Sequence, residues 1–587
     1  MNQEDYQKAY FEKAVACVNE LRTKLCKEAK LPEKNILSSL DCAPGEPLAY
    51  FAASQVFNTR LQQNPLAIVY CETAEHVSTA YNIAVKHQIP IRVRAGGHDH
   101  EGESSGTNVV TIDVSKMKKL EVDQKGLAKI GAGLRFIELT AALAKQNVMI
   151  AHGTCATVCV TGFTLGGGWG PWTRKRGMNC EHLKGATIVL GDGSIVDVDE
   201  DEHGNVPELL WALRGGGGLS YGIVTELRIQ TFPLPPELIK FELQWNNYDS
   251  KEAYPGNFYS TYDILTAWEK VIQATDTPEL IGTNLKINAR PAVEHFDYLT
   301  ISHNCSMYGY WEGTVEELED FVVARFPYVM PSVIKVEKPA GSNYEPTEIL
   351  IEMSGSKEPF TQPENAREAR GETFSAQAFY TNQNNLMSSW DRESFAKIQN
   401  KATKGLRGTP IPPDGDDPAP HKITSRLVEK QGLGAKGYEQ LFRSLTSPLV
   451  QPENRRLGLF TYVTLGAITG DHYRNNPDKD NKSAFPYKDK LYTIQYQTWW
   501  NETNDKHQYS DPSQEGDVYK NINRAMDWID SARTFDIPNT SGAFISFKDI
   551  AVPTSVYFDK NYEKLKQIKI DNSKDPNNHF RTRKTII

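Results

Sequence analysis

Two glycine-rich turns, each beside a side chain with reactive chemistry, limit what this chain can fold into more than anything else in it. The first is RVRAGGHDHEG, residues 92–102, where His98 follows two adjacent glycines. The second is GTCATVCVTGFTLGGGWG, residues 153–170, where Cys155 precedes a run of three glycines. Adjacent glycines leave backbone N–H groups open to close approach by an anion such as a phosphate. The second turn lacks the G-x-G-x-x-G spacing that opens a nicotinamide site after a strand, so that reading is set aside. A histidine and a cysteine, each beside bare backbone, can grip one large flat cofactor from two sides. The cofactor then carries the chemistry and the protein positions it.

At 587 residues the chain is long enough for two or more lobes. Its hydrophobic content of 39% and charged content of 24% are those of a soluble globular protein. A net charge of -9 argues against a nucleic-acid surface, which would carry a basic stripe. The charged N-terminus has no apolar run like a secretory signal, and no segment offers the apolar length of a membrane span. Eight scattered cysteines do not form a disulfide framework. The expectation is a cytoplasmic, mostly reduced protein, with no membrane or nucleic-acid partner and no metal ligands.

Residues 1–45 read as an N-terminal helical extension, with Ala14, Val18, Leu21 and Leu25 at helical spacing and CAPGEP (42–47) closing it. Strands are predicted at 67–71, 89–95, 109–114 and 127–133, with helices at 75–87 and 134–146. VLGDGSIVDVD (189–199) reads as a hairpin about a two-residue turn at Asp192 and Gly193. A proline-rich boundary follows at 233–236. Beyond it, FELQW, the 299–313 segment, 457–465 and 491–500 read as strands of a wide antiparallel sheet. Residues 408–420 read as a loop or insertion, and the chain ends in a helix and a proline-asparagine turn.

RAGGH, GTCATV with GGGWG, RGGGGLSYGIVT, and a C-terminal NYEKL followed by DPNNHF occur in that order. Together with AYFAASQVFNTRLQQNPLAIVYCETAEHV and AFPYKDKLYTIQYQTWW, they resemble the berberine-bridge-enzyme-like branch of the vanillyl-alcohol-oxidase flavoproteins. The resemblance runs from about residue 48 to 587 and is weakest in the middle. It implies an α+β fold: a PCMH-type FAD-binding domain (46–235), a substrate domain with a large antiparallel sheet backed by helices (236–544), and a C-terminal return to the FAD domain (545–587). It implies bicovalent FAD, with His98 on the flavin 8α-methyl and Cys155 on C6. The pyrophosphate would lie on the RxGGH and GGGxG backbones. Carried over residue by residue, the cofactor set is Arg94, Ala95, Gly96, Gly97, His98, Asp99, Gly102, Cys155, Val158, Thr161, Gly162, Gly166, Gly167, Gly168, Gly170, Gly222, Val224 and Asn561. Cys159 stands where the family usually has glycine and reads as structural.

Strand alternation over 491–500 puts Thr493, Gln495 and Gln497 on one face, and Tyr492, Ile494 and Tyr496 on the other. By resemblance Gln495 faces flavin and substrate, where an amide orients but takes no proton. Many relatives carry a tyrosine base in a segment like NYxD, and here that segment is Ser546-Phe547-Lys548-Asp549. Phenylalanine has no proton to trade. His100 is the best substitute base, with Tyr487 and Tyr496 behind it. Trp499 and Trp500 read either as a sugar platform or as core.

The resemblance implies an oxidase taking a hydride from a small molecule and passing electrons to O2 to give hydrogen peroxide. Val158, three residues after the linking cysteine, goes with oxidases in this family. Phe547 favours substrates that need no strong base: amines, phenols and natural-product intermediates, with oxidative cyclisation or desaturation open to them. A carbohydrate or alcohol oxidase is the second expectation, and a catalytically silent flavin-binding homologue is the third.

Overall fold

The computed structural model describes residues 3–41, 48–245, 259–276, 284–338, 347–353, 373–381, 418–454, 459–474, 482–500 and 512–587. The CAPGEP turn and most of the 408–420 loop lie outside them.

The N-terminal half builds two small sheets. In the first, Ala67–Tyr70, Val110–Asp113 and Ile91–Arg94 are parallel neighbours, with Ile36–Ser38 added antiparallel at the edge. Parallel strands need both faces covered. The helix Ala74–Lys86 supplies one cover, its first turn capped by the Thr73 hydroxyl accepting from the His76 N–H. The helix Gln3–Leu21 packs on this layer through Ala14, Val18 and Leu21, all buried. Residues 3–41 are therefore more than a helical extension. Ile36–Ser38 hydrogen-bonds into the sheet, because Ser38 and Ile36 match the pleat of Ala67–Tyr70.

The second sheet is antiparallel, in the order Leu120–Val122, Leu127–Gly131, Ile223–Gln230, Leu183–Val189, Ile195–Asp199. Its last pair is the expected hairpin, but the loop is one residue longer than the two-residue turn. Leu190 and Ser194 close it, and Gly193 takes the left-handed backbone at φ 80°. That arrangement suits a three-residue hairpin with glycine at the left-handed position.

The later half forms a nine-stranded antiparallel sheet among the described residues. Its centre runs Ile239–Trp245, Cys305–Trp311, Asn284–Asn288, Leu459–Ala467, Tyr492–Trp500, His421–Val428. Burial alternates along Ile239–Trp245: Ile239, Phe241, Leu243 and Trp245 enter the core, so Lys240 and Glu242 face the other way. The core side is covered by the helices Thr261–Gln273, Val315–Arg325, Gly434–Leu445 and Pro512–Thr534. Each fully buried apolar side chain there contributes about 1.5–3 kcal/mol.

The C-terminal segment packs back on the first half. Ile545, Tyr557, Phe558, Leu565 and Ile586 share a core with the antiparallel five-stranded sheet, and Phe580 joins the core of the parallel one. No described helix is long and apolar enough to cross a membrane.

Candidate active site

A cavity of about 760 Å³ lies where the two glycine turns meet the polar face of the large sheet. On the glycine side it is lined by Ala95, Gly96, Gly97, His98, Asp99, His100, Cys155, Val158, Cys159, Thr161, Gly162, Gly166, Gly222 and Val224. On the sheet side it is lined by Lys240, Glu242, Tyr308, Lys335, Glu337, Tyr462, Thr464, Gln495, Gln497 and Trp499.

The first turn leaves the strand Ile91–Arg94 and reverses through Gly97, at φ 79°. His98 then stacks on Phe57, with centroids 3.9 Å apart, and its Nε2 meets Thr157 Oγ1 at 2.8 Å. Asp99 accepts from the N–H groups of Glu101 and Glu103 at 2.9 and 3.1 Å and pairs with Lys548. Burial pushes the Asp99 carboxyl up, but Lys548, the Glu103 N–H and His100 outweigh it and hold it below its ordinary value.

The second turn is held from behind. His152 Nδ1 donates to the Gly153 carbonyl at 2.6 Å, so its Nε2 accepts from Tyr380 Oη at 2.7 Å and Trp172 Nε1 at 3.1 Å. Burial pushes His152 down to about 4, which keeps it neutral and its tautomer single. Cys155, two residues beyond Gly153, reaches the cavity half-buried. Cys159 is nearly buried, with Sγ 3.4 Å from the Gly133 carbonyl, and it begins the short helix Val160–Leu165.

Several residues carried over from the resemblance stand outside this wall. Arg94 is fully buried, with Nε 2.6 Å from Asp113 Oδ2, and braces the parallel sheet rather than reaching the cavity. Gly167, Gly168 and Gly170 are required by packing. A Cβ on Gly170 would fall 1.9 Å from the His152 carbonyl oxygen, and one on Gly168 would meet Asn179 and Phe163. Gly102 closes a turn onto the Asp99 carbonyl against Leu61. Asn561 donates to the Ala484 carbonyl at 3.0 Å and so ties the C-terminal segment to the 484–485 stretch.

The two tyrosines also lie elsewhere. Tyr487 is buried and donates to the Val556 carbonyl beneath Gly542. Tyr496 is buried on the core face of its strand, with Oη 2.7 Å from Ser444 Oγ and its ring against Trp528. The alternation that turns Gln495 and Gln497 to the cavity necessarily turns Tyr496 away. Gln495 Nε2 donates to Thr493 Oγ1 at 3.0 Å. Gln497 Oε1 accepts from Trp499 Nε1 at 3.0 Å and from Tyr462 Oη at 3.3 Å. Trp499 lines the cavity, whereas Trp500 packs with Leu459, Ile522 and Ala525.

His100 lines the cavity two residues beyond His98. Its Nδ1 lies 2.8 Å from Nε2 of His421, a fully buried residue at the start of the strand His421–Val428. Burial pushes His100 down to about 4, Asp99 opposing and Lys548 adding to the effect. Phe547 faces His100 with centroids 6.1 Å apart. Sequence reasoning missed His421, Phe57 and Thr157. An isolated histidine 321 positions from His100 carries no local signal.

The residues present fit a large flat cofactor with a phosphate arm. Bare backbone lines one flank, and an imidazole and a thiol open on the same cavity. Comparison with known proteins agrees. The family described as FAD binding domain matches residues 65–199, and the family described as berberine and berberine like matches 543–587. The FAD-linked oxidoreductase YgaK of Bacillus subtilis (strain 168) is 25% identical over 544 residues, covering 92% of this chain and 94% of that protein. Glucooligosaccharide oxidase of Sarocladium strictum is 34% identical over 195 residues, covering 32% of this chain and 38% of its own length. Among solved structures, glucooligosaccharide oxidase from Acremonium strictum, described with 6-S-cysteinyl, 8α-N1-histidyl FAD, shares the fold. Its TM-score is 0.63 at 19% identity, covering 91% of this chain and 94% of that one.

Proposed function

Because the chain is a berberine-bridge-enzyme-like FAD-linked oxidoreductase, we propose that it oxidises a carbon bearing a hydroxyl group in a polar small molecule and returns the electrons to O2. The observation that carries this reading is the pairing of two walls in one cavity. His98 and Cys155 stand on the glycine side, and Lys240, Glu337, Tyr462, Gln495 and Gln497 stand on the sheet side. A face of hydroxyl, amide and charged groups suits a substrate with several hydroxyls and wastes hydrogen bonds on an apolar one.

FAD, when bound, supplies an acceptor for two electrons. His98 and Cys155 would hold it covalently at two points. With Nε2 of His98 held by Thr157 Oγ1 at 2.8 Å, a covalent link to this ring would use Nδ1, the kind of N1 attachment named for the Acremonium strictum enzyme. Gln495 and Gln497 orient the substrate hydroxyls. The substrate C–H must stand about 3–3.5 Å from its acceptor for transfer. His100 Nε2 accepts the hydroxyl proton. In sum a C–H and an O–H bond break, a carbonyl forms, and two electrons and two protons leave on O2 as hydrogen peroxide. Val158 is half-buried on the cavity wall, which supports the oxidase reading that the resemblance attaches to it.

A second reading has its own observation. Phe547 stands beside His100 in place of a tyrosine, and His100 is a weak base once burial has lowered it to about 4. Amines and electron-rich phenols lose hydride with little help from a base, so they are the other substrate class.

Two measurements test these readings. Intact mass of the acid-denatured protein should exceed the polypeptide mass by one FAD. His98→Ala and Cys155→Ala should each keep that adduct through the remaining link, and the double variant should lose it. Oligosaccharides, aldoses, amines and phenols should then be screened for anaerobic bleaching and for peroxide in air. Bleaching by hydroxylated substrates is expected. Bleaching by amines or phenols alone transfers the assignment to the second reading, and no bleaching by any of them overturns both.

A further inference from the structure

The His100–His421 contact carries more than proximity. Nδ1 of His421 lies 2.9 Å from the Ala419 carbonyl oxygen, which only accepts. That nitrogen therefore bears the ring proton, and Nε2 of a neutral His421 bears a lone pair. The same Nε2 is 2.8 Å from Nδ1 of His100, so the proton in that contact belongs to His100. His100 is left with its lone pair on Nε2. We infer that His421 is a positioning residue that holds the proton of His100 on Nδ1 and so presents Nε2 to the cavity as an acceptor.

The surroundings keep both rings neutral and in place. Burial dominates at each: it takes His100 to about 4 and His421 well below its ordinary value. Asp99 and Lys548 face His100; Arg60 and His98 face His421. Asn58 clamps the two main chains together, its Nδ2 donating to the carbonyls of His100 (2.6 Å) and His421 (3.1 Å), and its Oδ1 accepting from the His421 N–H at 3.2 Å. Arg60 Nε adds a bond to the His421 carbonyl at 3.0 Å. The His421 ring stacks on Trp499 with centroids 3.9 Å apart. The clamp uses only His421 backbone atoms, so the side chain can be changed without losing it. A buried partner that selects one tautomer of a working histidine is an orienting device of the kind that serves catalytic and metal-bound imidazoles.

The tautomer assignment stands by itself; the use of the lone pair to take a substrate proton rests on the alcohol-oxidation reading. The test is histidine-selective 15N NMR of the full chain as purified, with His100 assigned by the signals lost in His100→Gln. In the wild type His100 should show the Nδ1–H tautomer with an unprotonated Nε2. In His421→Phe, which keeps the stacking surface but removes the acceptor, the Nδ1–H form should cease to be the major species. A wild-type His100 protonated on Nε2 overturns the inference, and so does an unchanged tautomer in a folded His421→Phe protein. The wild-type spectrum decides alone if that variant does not fold. No turnover of hydroxylated substrates beside the expected spectrum removes the alcohol reading and leaves the assignment in place.

Discussion

Lys548 Nζ lies 2.5 Å from Asp99 Oδ2, across 449 positions of sequence. The same ammonium meets Glu103 Oε2 at 3.0 Å, and Glu103 also accepts from Thr582 Oγ1 and the Arg583 N–H, each at 2.8 Å. The loop that follows His98 is thus fastened to the C-terminal segment at two points by charge. Burial pulls the Lys548 ammonium down, but Asp99 and Glu103 outweigh it and raise it above its ordinary value. Lys548 is therefore charged at neutral pH.

Replacing Lys548 with Met leaves Asp99 without its cation in a mostly buried setting. The expected cost is about 3–5 kcal/mol, because an uncompensated buried charge costs more than the pair contributes. Lys548→Arg should lose less than half of that. Denaturant unfolding of the three proteins measures it, and equal stability of Lys548→Met and wild type contradicts the ion-pair account.

Phe547 is 6.1 Å from His100 between ring centroids. Phe547→Tyr places a phenol at the position where the family resemblance expects a tyrosine base. Turnover of hydroxylated substrates should rise by about 10- to 100-fold, within the usual range of a well-placed acid-base group. Turnover of amines should stay flat. A rise of both equally would point to repacking and not to proton transfer.

Five histidines, with His152, His303 and His421 buried and His100 and His182 half-buried, set the acid limit of stability. Burial holds His100, His152 and His182 at about 4, His303 at about 3, and His421 well below its ordinary value. In the unfolded chain each takes up a proton near pH 6.5. Between these values the unfolded state binds more protons, so stability is full above about pH 6.5 and is lost as pH falls toward 4. The apparent Tm should drop by roughly 5–10 °C from pH 7 to pH 5. A Tm that is flat over that window would show that these rings titrate normally in the folded protein.

Tyr487 and Tyr496 carry packing, not chemistry. Tyr496→Phe loses the bond to Ser444, and Tyr487→Phe loses the one to Val556. Each change should cost about 1 kcal/mol of stability and leave kcat within about twofold of wild type. A loss of turnover far beyond that in either variant, with the fold intact, would return that tyrosine to the list of catalytic candidates.

Local pattern made some of this legible in the chain. Glycines beside His98 and Cys155 announced two turns, because few other residues allow backbone that close and that free. The period-2 order of 492–500 placed Gln495 and Gln497 on one face and Tyr496 on the other. The same period separates Lys240 and Glu242 from Phe241 and Leu243. Arg94, carried into the cofactor set by resemblance, is instead held by Asp113, its register partner on the next strand in sequence.

By itself, then, the order of residues determined the turns, the strand faces and the pair of side chains that can grip a cofactor. Each of these depends on backbone freedom or on a repeat of two to four residues, which neighbours in sequence dictate. Folding alone decided that His421 meets His100, that Asn58 clasps both, and that Lys548 closes on Asp99. Apart from Asn58 and His100, 42 positions apart, those partners are hundreds of positions apart, and their chemistry is set by burial and by one another's charge. Neither exists until the sheet face and the glycine turns come together around the same cavity.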